Sequence, residues 1–423
     1  MNYKQQLEWL FTQFPSYQKV GKRAYKPGIE TMTRFDTVLG MPHHCFRTIH
    51  VAGTNGKGSV SHMLASALAA NNLKVGLYTS PHLIDFRERI KIIEKNSYKM
   101  ISKEAVSDFM VKWKHFFEEE KPSFFEITTA MAFDYFREKK VDIAVIETGL
   151  GGRLDSTNVI TPILSVITNI GLEHCEHLGY TLEEIAFEKG GIIKPGVPVV
   201  IGEALPETKP VFEKIAADRG SRIVFAEDLK EPLHGITYHD LDLLGDYQQK
   251  NLNTLFAVLN ILREGLLRLD SNQLIDGICH AAANTALHGR WETLSNEPGK
   301  ARIICDTGHN AHGIRWVREQ IDKISCDYDH IFMIFGVVAD KDIDAIAHYL
   351  PHDVHYIFTN ADSPRALPAA KLAGILSDYG ITGHVSTSVQ EALDMAGQQA
   401  EASDLIFIGG SNFVVAEVLE RFI

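Results

Sequence analysis

The segment His50-Val51-Ala52-Gly53-Thr54-Asn55-Gly56-Lys57-Gly58-Ser59 decides the reading of this chain. It starts on a short apolar run, Thr48–Ala52, turns through three glycines and opens a helical pattern, Ser59–Ala70. Strand, glycine turn and helix in that order build an anion site, because the turn's backbone N–H groups and the helix dipole point at one place. The glycines let the backbone close around a phosphate, Lys57 supplies a cation, and Ser59 offers a hydroxyl to Mg²⁺. Gly53, Thr54, Asn55, Gly56, Lys57, Gly58 and Ser59 are therefore the expected nucleotide-binding residues. The general phosphate-loop pattern has Ser or Thr directly after Lys, whereas Gly58 intervenes here, so the loop is a variant. The plain alternative is a tight strand–helix turn with an incidental Lys.

Outward from this segment, short β-rich runs alternate with helical patterns, which predicts an α/β chain with mainly parallel sheets. The expected strands are Thr48–Ala52, Val75–Thr79, Ile143–Glu147, Leu164–Thr168, Val197–Ile201 and Arg222–Phe225, with helices over Ser59–Ala70, Lys103–Phe117, Glu126–Glu138, Lys209–Asp218 and Gln248–Arg263. A second block of strands, Arg302–Cys305, Ile331–Phe335, His355–Phe358 and Leu405–Ile408, follows the polar stretch Ser295–Lys300, which has the composition of a linker or an exposed hairpin turn. The expected division is residues 1–295, a linker at 296–300, and residues 301–423.

At 423 residues the chain is long enough for two or three domains, and 45% hydrophobic with 23% charged residues is an ordinary globular composition. A net charge of -12 with scattered Lys and Arg argues against nucleic acid as a partner, since that binding runs on basic stripes. The five cysteines form no close pair and read as thiols of a reducing compartment. The N-terminus is amphipathic without the layout of a signal peptide, and no apolar run spans a bilayer, so the expectation is a cytoplasmic protein without membrane partners.

Two acceptors of a metal follow from position alone. Glu147 sits at the carboxyl end of a buried strand, where ligands gather in open α/β sheets, and His174 follows the next strand. Lys189, before Gly190, reads plainly as a cation at a helix C-terminus.

The variant loop Gly-Thr-Asn-Gly-Lys-Gly-Ser resembles the ATP loop of the Mur ligase superfamily, in its folate branch. The resemblance continues through Gly76–Leu83, Phe86–Ile90, Glu147–Asn158, Glu188–Lys194, Gly245–Asn251 and Asp306–Asn310, and this order and spacing resemble folylpolyglutamate synthases. It implies a Mur-ligase-like α/β fold: an N-terminal P-loop ATPase domain with a mainly parallel sheet, plus a smaller C-terminal Rossmann-like domain. It also implies an ATP-dependent ligase that joins L-glutamate to folate, and also to dihydropteroate, through an acyl phosphate, with interdomain closure keeping water out. Implied as cofactors are ATP, two magnesium sites, room for a potassium ion, and a carbamylated Lys189. The metal set would be Ser59, Ser80, Glu147, His174 and Lys189, and the catalytic set Lys57, Lys189, Arg290 and His309. Asn251 and Asn253 would meet the adenine, although N-capping is an equally good reading of either. Arg290 would reach the phosphates and Asp306 the nucleotide. At Asp306-Thr307-Gly308-His309-Asn310 the family's Gly-Ala is replaced by Thr-Gly, which leaves the local loop geometry open. Asp340, Lys341 and Arg365 would bind the incoming glutamate. Ser80–Leu83 with Arg87 would shape the pterin cleft, flanked by Tyr25–Glu30, and the chain would act as a monomer.

Three rivals are weaker. A UDP-muramoyl ligase needs a domain before the loop, where this chain has only about fifty residues. A P-loop GTPase or kinase lacks its base-reading motif here, and a non-catalytic ATP-binding scaffold has no use for Lys57, Glu147, His174, Lys189 and His309 together.

Overall fold

The computed structural model describes residues 2–16, 18, 21, 26, 28–229 and 235–423. It divides into two compact units: the first is Met1–Gln18, Lys22–Asp242 and Gln248–Leu287, and the second is Lys19–Gly21, Leu243–Tyr247 and His288–Ile423. The main segment of the second unit thus begins at His288. Residues 296–300, expected as a linker, instead form the turn between two paired strands inside that unit.

The first unit is built on eight strands: β1 (Arg47–Ala52), β2 (Val75–Tyr78), β3 (Ile90–Glu94), β4 (Ser97–Met100), β5 (Ile143–Glu147), β6 (Leu164–Ile167), β7 (Val199–Ile201) and β8 (Ile223–Phe225). Their order is β4-β3-β2-β5-β1-β6-β7-β8, parallel except at β2/β3 and β3/β4. The central strands are apolar runs buried on both faces, as helix-covered parallel strands must be. β1 leads to β2 on one side while β5, seated beside β1, leads to β6 on the other. The carboxyl ends of β1, β5 and β6 therefore flank a topological switch point, where open α/β sheets bind ligands.

The antiparallel β3–β4 hairpin escaped the sequence reading because β4 is a short, exposed and polar edge strand. Such an edge resists pairing with other chains and carries no apolar run to find.

The second unit holds six strands: β9 (Glu292–Ser295), β10 (Arg302–Cys305), β11 (Ile331–Phe335), β12 (His355–Phe358), β13 (Gly383–Val385) and β14 (Leu405–Gly409). The order is β13-β12-β11-β14-β10-β9, with only β9/β10 antiparallel. Asp306 directly follows β10, which lies between β14 and β9. Among the described residues no helix is long and apolar enough to cross a membrane.

The helix Lys57–Ala70, which starts at the glycine turn, is buried along most of its length. It lies so close to the helix Ser271–Cys279 that a Cβ on Gly277 would come within 2.7 Å of the Ala67 Cα and the Ser66 carbonyl oxygen. The Ser66 hydroxyl donates to the Gly277 carbonyl at 2.6 Å, closing the contact. Replacing Gly by Ala inside a helix gains about 1 kcal/mol of propensity, but overpacking against backbone costs about 1–3 kcal/mol. Gly277→Ala is thus expected to be destabilising on balance, seen as a lower urea midpoint at unchanged m-value.

Candidate active site

The glycine turn after β1 is cinched to the segment after β6. Thr54 N–H donates to the Asn169 carbonyl at 3.0 Å, and Asn55 N–H to the Asn169 Oδ1 at 2.8 Å. The Thr168 hydroxyl donates to the Asn55 carbonyl at 2.6 Å, and Thr54 Oγ1 exchanges hydrogen bonds with the backbone of Gly171. Two glycines are obligatory. Gly53 has φ +147 and a Cβ there would lie 1.9 Å from Thr168 Oγ1, while Gly56 has φ +82 and its Cβ would lie 2.2 Å from Asn251 Oδ1.

Two lysines converge on this turn. Lys57 Nζ donates to the carbonyls of Gly53 (2.9 Å) and Thr54 (3.0 Å), and Lys189 Nζ donates to the same Gly53 carbonyl at 2.7 Å. Lys189 ends the helix Leu182–Gly190 as expected, but it is buried. Burial pulls its pKa down to about 7, assisted by the charge of Lys57 and opposed by Glu173 and Asp155. Sequence alone gave no sign that this C-terminal cation leaves solvent.

Glu147 is buried at the end of β5, its Oε2 accepting from the Ser80 N–H at 3.2 Å. Ser59 is buried on the first turn of the helix Lys57–Ala70, and its hydroxyl accepts from Gln248 Nε2 at 3.3 Å. His174 adopts φ +53 at the start of a short helix, with Nε2 3.8 Å from Glu173 Oε1. Among the described residues no three His, Cys, Asp or Glu side chains gather as a metal cage. Mg²⁺ keeps waters and phosphate oxygens and takes one or two carboxylates from protein, a need that the buried carboxylate of Glu147 fits. Asn251 is buried, donating from Nδ2 to Gln248 Oε1 at 2.7 Å, whereas Asn253 is half-buried and accepts from Gln249 at 3.1 Å.

Asp155 is a residue the sequence reading did not single out. It is buried and accepts the N–H groups of Gly149, Leu150 and Thr157, which holds the loop after β5 in shape; burial raises its pKa despite these donors. Its signal was present, since an Asp three residues past a Gly-Leu-Gly-Gly turn can serve that turn's amides.

In the segment expected to shape the pterin cleft, Arg87 is occupied by Asp85 through Nε and Nη2. Arg89 is the buried guanidinium there: its Nε donates to His82 Nδ1 at 2.8 Å, its Nη2 to Gln18 Oε1 at 3.2 Å, and it lies over the Phe124 ring. Tyr25 and Pro27 fall outside the described residues.

The second unit carries its own cluster. Asp306 is buried and accepts from Tyr247 Oη (2.7 Å) and Trp291 N–H (2.8 Å) on Oδ2, and from Gly308 N–H (2.7 Å) on Oδ1. Burial raises the pKa of Asp306, and pushes that of Tyr247 well above its usual value. Thr307, the departure from the family pattern, receives a short hydrogen bond from Arg290 Nη1 and donates to the Gly289 carbonyl at 2.9 Å. His309 Nδ1 donates to the Thr307 carbonyl at 2.8 Å, so Nδ1 carries the proton and Nε2 lies on the opposite edge of the ring. Asp340 and Arg365 form a bidentate pair at 2.8 and 2.7 Å. Burial works against the charge of Asp340, yet Arg365 holds its pKa below the usual value.

Residues 51–231 match the Mur ligase middle domain, and residues 289–412 match the glutamate ligase domain of Mur ligases. The chain is 34% identical to folylpolyglutamate synthase of Lacticaseibacillus casei, over 100% of this chain and 99% of that protein. It is 32% identical to dihydrofolate synthase/folylpolyglutamate synthase of Bacillus subtilis, over 95% and 96%. It is also similar to a crystal structure of a bifunctional folylpolyglutamate synthase/dihydrofolate synthase with Mn, AMPPNP and L-glutamate bound, with TM-score 0.84 and 26% identity over 100% of this chain and 98% of that one.

The depressed pKa of Lys189 has a measurable sign. Between about 7 and the ordinary 10.5 the unfolded chain holds a proton on this amine that the folded chain does not. Stability therefore rises with pH through that window and is lost as pH falls from about 10.5 to about 7, below which both states hold the proton and the loss is complete. Lys189→Met removes the burial penalty, so in carbon-dioxide-free buffer the variant should gain most over the native protein at pH 6.5 and least near pH 10. Urea unfolding at the two pH values measures the gap, which should shrink as pH rises.

Proposed function

The chain belongs to the folylpolyglutamate synthase/dihydrofolate synthase family of Mur ligases, and from that premise we propose how its residues make an amide bond between a folate and L-glutamate at the expense of ATP. A carboxylate is a poor acyl donor in water. The enzyme converts the folate γ-carboxylate, or the pteroate carboxylate of dihydropteroate, into an acyl phosphate by moving the ATP γ-phosphoryl group onto it and releasing ADP. The amine of glutamate then attacks the acyl carbon and loses its proton. Inorganic phosphate leaves from the tetrahedral intermediate, and the amide remains.

The observation that carries this reading is the convergence of Lys57 and Lys189 on one glycine carbonyl, in a turn clamped from the neighbouring strand. In a protein of net charge -12 this sets the Lys57 cation on the turn beside a second amine, Lys189, whose charge burial weakens. Lys57 exchanges its bonds to Gly53 and Thr54 for phosphate oxygens when nucleotide binds. Arg290 supplies a further donor to the transferring phosphoryl group, His309 does so from Nε2 when its ring carries a second proton, and Asp306 takes a hydroxyl of the nucleotide. Asn251 and Asn253 lie on the helix that faces the base. Ser59, Ser80, Glu147 and His174 would hold Mg²⁺, whose contribution when bound is to neutralise phosphate charge during the transfer.

A pKa near 7 supports the further assignment that Lys189 is carbamylated: its neutral amine adds to carbon dioxide, releases a proton and becomes an anion. The carbamate would then belong to the metal set, and its formation removes the unfavourable cation beside Lys57. Asp340, Lys341 and Arg365 serve the glutamate substrate in this scheme. The five free cysteines are in keeping with a cytoplasmic enzyme.

Glutamate-dependent phosphate release, with tetrahydrofolate and dihydropteroate compared in parallel, tests the reaction. Turnover of both substrates is expected, and turnover of tetrahydrofolate alone would reduce the activity to tail extension. Lys57→Ala should lower kcat about 100-fold or more with either substrate, the scale of losing one preorganised donor to the developing charge. Full turnover in that variant would remove the glycine turn from the chemistry.

A further inference from the structure

The dipeptide Tyr247-Gln248, half-buried at Tyr247 and buried at Gln248, is absorbed by no role assigned so far, yet each side chain holds one of the groups that the proposed reaction depends on. Tyr247 belongs to the second unit and Gln248 to the first, so the chain passes from one to the other at the peptide bond between them.

On the first-unit side, Gln248 is fully buried at the start of the helix Gln248–Ile261. Its amide is fixed from both ends: Oε1 accepts from Asn251 Nδ2 at 2.7 Å, and Nε2 donates to Ser59 Oγ at 3.3 Å. Asn251 in turn backs onto Gly56, which is why Gly56 tolerates no side chain. A donor aimed at Ser59 occupies one lone pair of its hydroxyl oxygen. The other lone pair and the proton are then confined to the remaining directions, so the amide sets which way the oxygen presents itself to a cation.

On the second-unit side, the Tyr247 hydroxyl donates to Asp306 Oδ2, which the Trp291 N–H also fills. With Gly308 N–H on Oδ1, three donors leave that oxygen as the one to meet a ligand. The segment around Tyr247 is itself tied down within its unit. Asp246 N–H donates to Gln320 Oε1 at 2.9 Å, and Lys323 Nζ donates to Asp246 Oδ2 at 2.7 Å.

We infer that Tyr247 and Gln248 are consecutive positioning residues, Gln248 orienting the Ser59 hydroxyl toward the metal and Tyr247 orienting the Asp306 carboxylate. One peptide bond thus joins the support of the metal-facing hydroxyl to the support of the nucleotide-facing carboxylate. The inference rests on the proposed function, because it takes Ser59 and Asp306 to be the groups that meet magnesium and nucleotide.

The test is a titration of mant-ATP binding with Mg²⁺ on the full chain, alongside turnover. Gln248→Met keeps the length but cannot donate, and should raise the Mg²⁺ midpoint about 10-fold, the usual cost of losing an outer-shell partner. In a Ser59→Ala background the same change should add less than about twofold, because its route of action is already gone. Tyr247→Phe should leave the Mg²⁺ midpoint within about twofold and lower kcat about 10-fold, with an unchanged unfolding midpoint. If Gln248→Met does not fold, Gln248→Glu keeps the shape and the bond to Asn251 while removing the donor, and the midpoint must again move. A native Mg²⁺ midpoint in the folded Gln248 variant, a full additional loss in the Ser59→Ala background, or native kcat in Tyr247→Phe would each overturn the assignment. Native protein that bound no mant-ATP would sink the proposed function and this inference with it, whereas native binding with unresponsive variants would sink the inference alone.

Discussion

The clamp between the glycine turn and the end of β6 is the constraint from which the rest of the first unit follows. A turn of this kind is poor in side chains, so nothing in it can hold its own shape against the entropy of glycine. Thr168 and Asn169 supply that shape from outside, through hydrogen bonds to backbone groups of Thr54 and Asn55, and the Gly171 backbone holds the Thr54 hydroxyl. Adjacent strands of a parallel sheet are the natural source of such a clamp, because their carboxyl ends arrive side by side. The two lysines can then be brought to one carbonyl without collapsing the loop around them.

Burial gives the same residues their chemistry. Lys189 is an ordinary helix-ending lysine by sequence and an amine with a pKa near 7 by environment. Asp306 and Asp155 are pushed the other way, since each is a carboxylate out of water whose charge survives on hydrogen bonds from backbone amides, Tyr247 or Thr157. The three groups illustrate one rule: desolvation disfavours whichever form is charged, and the local donors decide how much of the charge remains.

Much of the architecture was legible because parallel strands buried on both faces read as apolar runs. All six of the expected strands of the first sheet formed, to within two residues at their ends. What escaped was polar or borrowed. β4 and β13 are exposed edges with no apolar signature, and β9 pairs back onto β10 across the stretch whose composition fits a linker or an exposed hairpin turn, the second of which it is. At the site, the glycine turn and Glu147 follow from their strand ends. Arg89 and Asp155 could be recognised only when burial distinguished them from neighbours of the same type, such as Arg87. Thr307 shows the reverse: a departure from the family pattern that sequence left open becomes a hydroxyl bonded to Arg290.

The interleaving of the two units has a consequence for how the molecule is made. Residues 243–247 leave the ribosome ahead of every strand of the second sheet, yet their partners Asp306, Gln320 and Lys323 lie further along the chain. The first unit can gather its eight-stranded core while translation continues, but this short stretch must wait undocked until the later half emerges. Neither unit is a contiguous piece of the gene, so cutting the coding sequence at His288 yields fragments that each carry, or lack, part of the other's surface.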